Sequence, residues 1–343
     1  MRGKAVKVRT QDGETAHRAL ARVGALDPTR KPRVEDGWLL LPIIQGVGEA
    51  VDLPPVFQVV DADLEERPAK PTSLREAPGL PPELADEVTR SMDIVGDIAI
   101  IRLKDDIMSR AGEIGEALRS VHPRVRAVAV DDGVSGPLRL RALTLVAGEG
   151  PLVTTHREHG VTLRVDLEQA YFSPRLATEH RRVADLVRPG ERVLDMFSGV
   201  GPFAVLIAKL ASPREVHAVD LNPRAVELVV ENAVANGVDQ LVFAHEGDAR
   251  EVVPPLGTFD RIVMNHPHGA YAFTDVALGA SHEGTEMHLH LIGTEEEARE
   301  VLGEACNQAK DLGLPDLRLL GLHEVRTYAP GVCHFCLDLR LGD

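Results

Sequence analysis

Hydrophobic positions follow two periods along this chain, and the way the periods are combined changes from one end to the other. Near the start, AVKVRT (5–10) alternates like a strand and ETAHRALARVGAL (14–26) spaces its apolar residues by three and four like a helix. WLLLPI (38–43) then reads as a second strand. The Pro- and charge-rich stretch 62–84 breaks the pattern and predicts a linker. In the next block DIVGDIAIIRL (93–103) is a strand interrupted by glycine, and RAGEIGEALRSVH (110–122) is an amphipathic helix. Segments 125–132, 140–148, 154–160 and 161–172 read as strands and turns. From about 186 onward short apolar runs alternate with helical patterns, as a parallel sheet with crossover helices requires. The last run, 317–341, is two strands around a Pro-Gly turn. The expected fold class is α/β: a doubly wound, Rossmann-like sheet with an antiparallel last strand, preceded by two smaller α+β domains. The expected boundaries are 1–61, a linker at 62–71, a middle domain at 72–185 and a final domain at 186–343.

Within the final domain VLDMFSGVGPFAVLIAK (193–209) is the most informative stretch. A short apolar run ends in Asp195, a turn carries Gly199 and Gly201, and Pro202 opens an expected amphipathic helix. Gly199 to Ala204 satisfies G-x-G-x-x-G/A, so the loop alone fits either a dinucleotide or S-adenosylmethionine. Asp195 favours the second. A pyrophosphate at the mouth of the loop would meet a carboxylate, whereas an ammonium and a sulfonium would be attracted to one. Asp220 ends the following strand and can accept from both ribose hydroxyls. Asp248 follows the third strand, where an adenine amine needs an acceptor, and Asn265 and Pro267 end the fourth. An acid can also cap a helix at any one of these places. Together they have the arrangement of a class I methyltransferase, with Phe197, Leu221 and Asn265 completing the expected cofactor set.

Composition narrows the setting. No run of 18 apolar residues suggests a membrane span, and MRGKAVKVRTQDGE has no apolar core of a signal peptide. The three cysteines, Cys306, Cys333 and Cys336, make no disulfide framework, so a reducing cytoplasm is expected. The net charge of −15 argues against broad nonspecific affinity for nucleic acid, although a local patch can still bind it. Of the 38 basic residues 31 are arginine, which suits bidentate contacts to phosphates and bases and equally reflects a genomic bias.

YFSPRLATEHRRVADLV (171–187) precedes the glycine loop. On a helix Arg175 and Glu179 would share a face, and at that spacing a surface salt bridge is the simplest reading. This segment, with VKVRTQDGETAHRALARVGALD, SLREA, GVSGPLRLRALTLVAGE, THREHG, VLDMFSGVGPF, AVDLNP, MNHP and VRTYAPG in that order, resembles the archaeal and eukaryotic tRNA (guanine-N1-)-methyltransferase family. The likeness runs nearly the whole length. It implies methylation of N1 of guanosine 37 with S-adenosylmethionine, and tRNA docking by the first two domains. It further implies Glu179 as general base, Arg139 as the catalytic arginine, Asn265 orienting the base, and Arg175, Pro267 and Tyr271 at the substrate. A chain carrying its own RNA-binding domains is expected to act as a monomer. The chemistry is consistent in itself. N1 carries a proton that must leave before it can attack a methyl group, and the charge that then spreads to O6 calls for a guanidinium.

The chain departs from that family at His180, where an arginine commonly follows the glutamate, and at His266 and His268 around Pro267. A histidine at 180 would weaken any phosphate contact at neutral pH. Aminocarboxypropyl transfer by a related wybutosine-pathway enzyme, methylation of a tricyclic precursor, a noncatalytic RNA-binding protein and a NAD-dependent dehydrogenase stay open as alternatives. No metal is expected. Cys333-His334-Phe335-Cys336 lacks a second pair at ligand spacing and alternates like a strand, and His288 and His290 share a strand face with no carboxylate expected in register.

Overall fold

The computed structural model describes residues 2–46, 57–67, 71–77, 80–136 and 138–342. It divides into two compact units, Met1–Thr72 and Ser73–Asp343. In the first, β1 (Arg2–Arg9), α1 (Gly13–Arg22), β2 (Arg33–Glu35), β3 (Trp38–Pro42) and β4 (Gln58–Asp63) form an antiparallel sheet in the order β2-β3-β1-β4. Ala16 and Leu20 of α1 pack on Val6, Val8 and Leu41. Ala62 and Asp63, expected in the linker, are paired with β1. Residues 68–70 of that linker lie outside the described residues.

In the second unit α2 (Pro82–Ser91), β5 (Asp93–Val95), β6 (Ile98–Ile101), α3 (Ala111–Val121), β7 (Ala127–Ser135) and β8 (Leu140–Gly148) build a small α+β layer. Its sheet order is β5-β6-β7-β8, with β6 and β7 parallel across α3. A separate hairpin follows, β9 (Val153–Glu158) and β10 (Val161–Asp166). The main sheet comprises β11 (Arg192–Asp195), β12 (Glu215–Asp220), β13 (Val242–Glu246), β14 (Phe259–Met264), β15 (Ser281–Gly293), β16 (Leu317–Ala329) and β17 (Val332–Leu341). Its order is β13-β12-β11-β14-β15-β17-β16. The first five strands are parallel, and β17 runs antiparallel between β15 and β16. Strand order reverses at β11, so a crevice opens beyond the ends of β11 and β14, where open α/β sheets hold ligands.

Consecutive strand residues face opposite layers. Val193 and Val263 pack with α4 (Ala177–Leu186), α5 (Pro202–Leu210) and α6 (Pro223–Asn236). Leu194 and Ile262 pack with α7 (Ala249–Val252), α8 (Thr274–Gly279) and α9 (Glu295–Asp311). Helix α5 is not amphipathic as expected: Pro202 through Ala208 are all buried. Helix α4 and the β9–β10 hairpin cover what would have been its solvent face.

That hairpin, expected as the tail of the middle domain, is tied to α6. Asn232 Oδ1 accepts from Arg164 N (2.6 Å) and its Nδ2 donates to Arg164 O (3.1 Å). Asn236 repeats this with Thr162 (2.9 and 2.7 Å). Four residues apart on one helix face, the two amides act as a substitute strand for the edge of β10.

Candidate active site

The loop after β11 is held by its own backbone. Ser198 N donates to Val219 O (2.9 Å) and Gly201 N to Ser198 O (2.9 Å), while Gly199 N donates to Asp220 Oδ2 (2.7 Å). Gly199 and Gly201 have φ of +53° and +84°, a region open to glycine at no steric cost. A Cβ on Gly201 would press on Val229 at 3.2 Å. Asp220 also accepts from Asn222 N (2.9 Å) through Oδ1, and burial raises its carboxyl. Asp248 caps α7, accepting from Arg250 N (2.8 Å).

A cavity of about 820 Å³ extends from this loop to the middle layer. Phe197, Gly199, Asp220, Leu221 and Asp248 line it, with Asn265 and Pro267 and with Arg139 and Arg175. Asn265 Oδ1 is buried and has no hydrogen-bond partner. Phe197 packs edge-on against Phe273 (5.1 Å) and tilted against His266 (5.3 Å). Arg139 sits in the β7–β8 turn with φ +52°, over the Tyr171 ring at 5.6 Å. Two residues on, Arg141, its side chain 7 % exposed, donates to Asp131 (2.9 Å) and to Phe172 O (3.2 Å), tying that turn to the segment before α4.

Four expected site residues stand apart from this cavity: Asp195, Gly201, Glu179 and Tyr271. Asp195 is not at the mouth of the loop. It is fully buried, with no well-formed hydrogen bond to either oxygen. Burial, with the charge of Asp220, pushes its carboxyl up to about 7, and the Phe197 and Ala204 amides offset part of that. Of the acids expected at the cofactor, Asp220 and Asp248 line the cavity, which Asp93 and Asp131 also line. Tyr271 is half exposed on a single turn, Ala270–Phe273. Arg175 and Glu179 do not pair: Arg175 lies in the turn before α4 and binds Asp93, while Glu179 binds Arg182. His180 is buried against Glu158 (Nδ1–Oε1 2.7 Å) and edge-on to Phe203, so it is not a surface phosphate contact. His156 and His180 bring Glu158 down to about 2 against the effect of burial.

Glu179 itself is 4 % exposed. Arg182 grips both of its oxygens (Nε–Oε2 and Nη2–Oε1, each 2.7 Å) and reaches Asp338 (2.6 and 3.1 Å) and Cys336 Sγ (3.3 Å). Asp338 is the register partner of His288, a carboxylate that had not been expected there. His288 Nδ1 lies 2.6 Å from it, and His288 Nε2 lies 2.8 Å from Nη1 of the fully buried Arg261. A guanidinium only donates, so His288 Nε2 accepts and Nδ1 carries the proton toward Asp338. Burial opposes ionisation of Asp338, but His288 and Arg182 hold it well below the usual carboxylate range. Glu179, His290 and Cys336 offer ligand atoms within 4.8 Å of one another, as do His288, Cys336 and Asp338. Arg182 Nη2 already supplies the positive charge at that place.

Matches to known families run along the chain in order. The tRNA methyltransferase 5 N-terminal domain matches residues 5–51, the TYW2 N-terminal domain 74–151 and the TRM5/TYW2 methyltransferase domain 154–312. The tRNA (guanine(37)-N(1))-methyltransferase Trm5b of Pyrococcus abyssi is 37 % identical over 342 residues, 98 % of this chain and 99 % of the relative. This chain belongs to the TRM5/TYW2 methyltransferase family. Among solved structures of the family, the complex of aTrm5 with tRNALeu aligns with a TM-score of 0.73 and 30 % identity, over 98 % of this chain and 99 % of that one. The Pyrococcus horikoshii TYW2 structure with MeSAdo aligns at 0.66 and 28 % identity. It covers 98 % of that chain but 78 % of this one. The fold is thus the class I methyltransferase fold of the TRM5/TYW2 family.

Around Glu179 the structure gathers side chains to which sequence reasoning gave no site role: Arg182, His290, His334 and Asp338. The available signal was the alternation of polar residues on β15 and β17, His288/His290 against His334/Cys336/Asp338. Only the pairing of the two strands shows that they face each other.

Proposed function

We propose that this chain methylates N1 of guanosine 37 in tRNA with S-adenosylmethionine as donor. One observation carries the reading: a single cavity is lined by the glycine loop, by Asp220 and Asp248, by Asn265 and by Arg139 and Arg175. The donor set at the loop fits S-adenosylmethionine. It offers carboxylates for ribose hydroxyls and a buried amide oxygen without a partner. When bound, S-adenosylmethionine supplies an electrophilic methyl group.

The chain's own residues do the rest. Asn265 Oδ1 accepts from the guanine edge and orients the ring. Arg139 stabilises the charge that gathers on O6 as N1 loses its proton, and Glu179 is the final acceptor of that proton. Pro267 and Phe197 limit the water around the reacting atoms. The first unit and the middle layer dock tRNA outside the anticodon loop. In the first unit Trp38 lies under Lys7 (4.7 Å) and Arg9 (4.1 Å), a cationic face suited to a phosphate backbone. The three cysteines are free thiols, in keeping with a cytoplasmic enzyme, and no helix among the described residues is long and apolar enough to cross a membrane. The enzyme acts as a monomer, an expectation that light scattering checks.

TYW2 is matched over 98 % of its length but covers 78 % of this chain, and residues 5–51 match the tRNA methyltransferase 5 N-terminal domain, which favours methyl over aminocarboxypropyl transfer. Incubation with S-adenosylmethionine and an unmodified tRNA transcript bearing guanosine 37, followed by nucleoside mass analysis, should yield N1-methylguanosine. An aminocarboxypropyl adduct, or no product, would overturn the assignment.

A further inference from the structure

Glu179 is the proposed base, yet it neither lines the cavity nor has a free oxygen: Arg182 holds both. Beside it stands His290, whose Nε2 lies 3.7 Å from Glu179 Oε1 and has no hydrogen-bond partner. His290 Nδ1 lies 3.1 Å from His334 Nε2, and His334 lines the cavity. Two imidazoles therefore span the wall between the cavity and the buried carboxylate. We propose that His334 and His290 form a relay that carries the guanine N1 proton from the cavity to Glu179. The relay rests on Glu179 being the base.

The protonation states suit a relay. Burial keeps both rings neutral at neutral pH, with His334 down to about 4 and His290 well below its ordinary value. Arg326 and His268 beside His334, and His288 and Arg182 beside His290, oppose a positive ring, while Glu179 and Asp338 act the other way. A neutral imidazole has one N–H and one bare nitrogen, so it can take a proton on one side and release one on the other. With Glu179 ionised, His290 Nε2–H faces Oε1 and its bare Nδ1 accepts from His334 Nε2–H. His334 Nδ1 is left bare for the cavity.

The transfer balances. The N1–H bond breaks as an N–H bond forms at His334 Nδ1. The His334 Nε2 proton moves to His290 Nδ1, and the His290 Nε2 proton moves to Glu179 Oε1. Both rings stay neutral with their tautomers exchanged, and the negative charge passes from Glu179 to the guanine. The 3.7 Å gap lies beyond hydrogen-bond reach and must shorten by a small side-chain shift. After methyl transfer the same path run backward returns the proton to water in the emptied cavity.

The test is single-turnover methyl transfer by the full chain with saturating S-adenosylmethionine and an unmodified tRNA transcript. His334→Gln and His290→Gln keep a hydrogen-bonding side chain but cannot exchange tautomers. Each should slow the step by about 100-fold or more, the low end for lost acid–base catalysis. S-adenosylhomocysteine and tRNA affinities should stay within about threefold. The His334→Ala rate should recover with added imidazole, because the vacated position opens on the cavity. A near-normal rate for His334→Gln, or no recovery of His334→Ala, would overturn the relay. If His290→Gln does not fold, judged by its melting curve, the two His334 variants decide. Glu179→Gln separates the two readings. If it is inactive while both Gln variants are active, the relay is wrong and the base stands. If it is active, the base assignment fails and the relay with it.

Discussion

Asp195 carries a large electrostatic cost for one side chain. Burial and Asp220 raise its carboxyl from 3.8 to about 7. Between those values the folded state holds a proton that the unfolded chain has released. Stability therefore falls as pH rises from about 4 to 7 and levels off above that. The effect is of order a few kcal/mol, since each pKa unit is worth about 1.4 kcal/mol. Asp195→Asn should remove most of the slope in the ligand-free protein, as read from urea midpoints at pH 5 and pH 8. Equal slopes in the two proteins would place the titration elsewhere. This residue also marks how far sequence reading reached. An acid at the end of β11 was legible from the strand–loop pattern. Its depth was not, because burial is set by what packs over the strand end from elsewhere in the chain, and no local pattern encodes that.

At the scale of elements, the α6–hairpin contact is the most exposed to a single change. Asn232 satisfies the N–H and C=O of Arg164 and also donates to Val200 O (2.9 Å) in the glycine loop. Asn232→Leu is close in volume and leaves those backbone groups without partners. It should cost about 2–4 kcal/mol, since a buried polar group left unpaired costs roughly 1–3 kcal/mol. Denaturant titration checks the loss, and faster amide exchange at Thr162 and Arg164 would localise it. A change under about 0.5 kcal/mol would show that water replaces the amide. The strands and most helices were readable from periodicity. The two asparagines were not, because at helical spacing they look like ordinary polar positions and their partners are backbone groups 68 and 74 residues earlier.

At the scale of the whole molecule the two units have separate cores. Val6, Val8, Ala16, Leu20 and Leu41 belong to the first, and the three larger clusters lie entirely within the second. A fragment spanning 73–343 should therefore fold and be stabilised thermally by S-adenosylhomocysteine about as well as the full chain. Its affinity for tRNA should fall at least tenfold, measured by filter binding at fixed salt. Unchanged tRNA affinity would remove the docking role from residues 1–72. The order of domains was visible in composition shifts and in the block order of the motifs. The shared cavity was not, because it needs the β7–β8 turn, the segment before α4 and the tip of β16 to converge from three distant parts of the chain.

The placement of β17 bears on how the protein is made. It is the only described strand that covers the outer edge of β15, and it carries His334, Cys336 and Asp338. Until translation has passed residue 341, β15 presents an open backbone edge with His288 and His290 uncovered, and such edges invite pairing with other chains. A premature stop after β15 and before β17 would thus yield a product that is sticky as well as inactive. The cell gains from destroying such a product quickly.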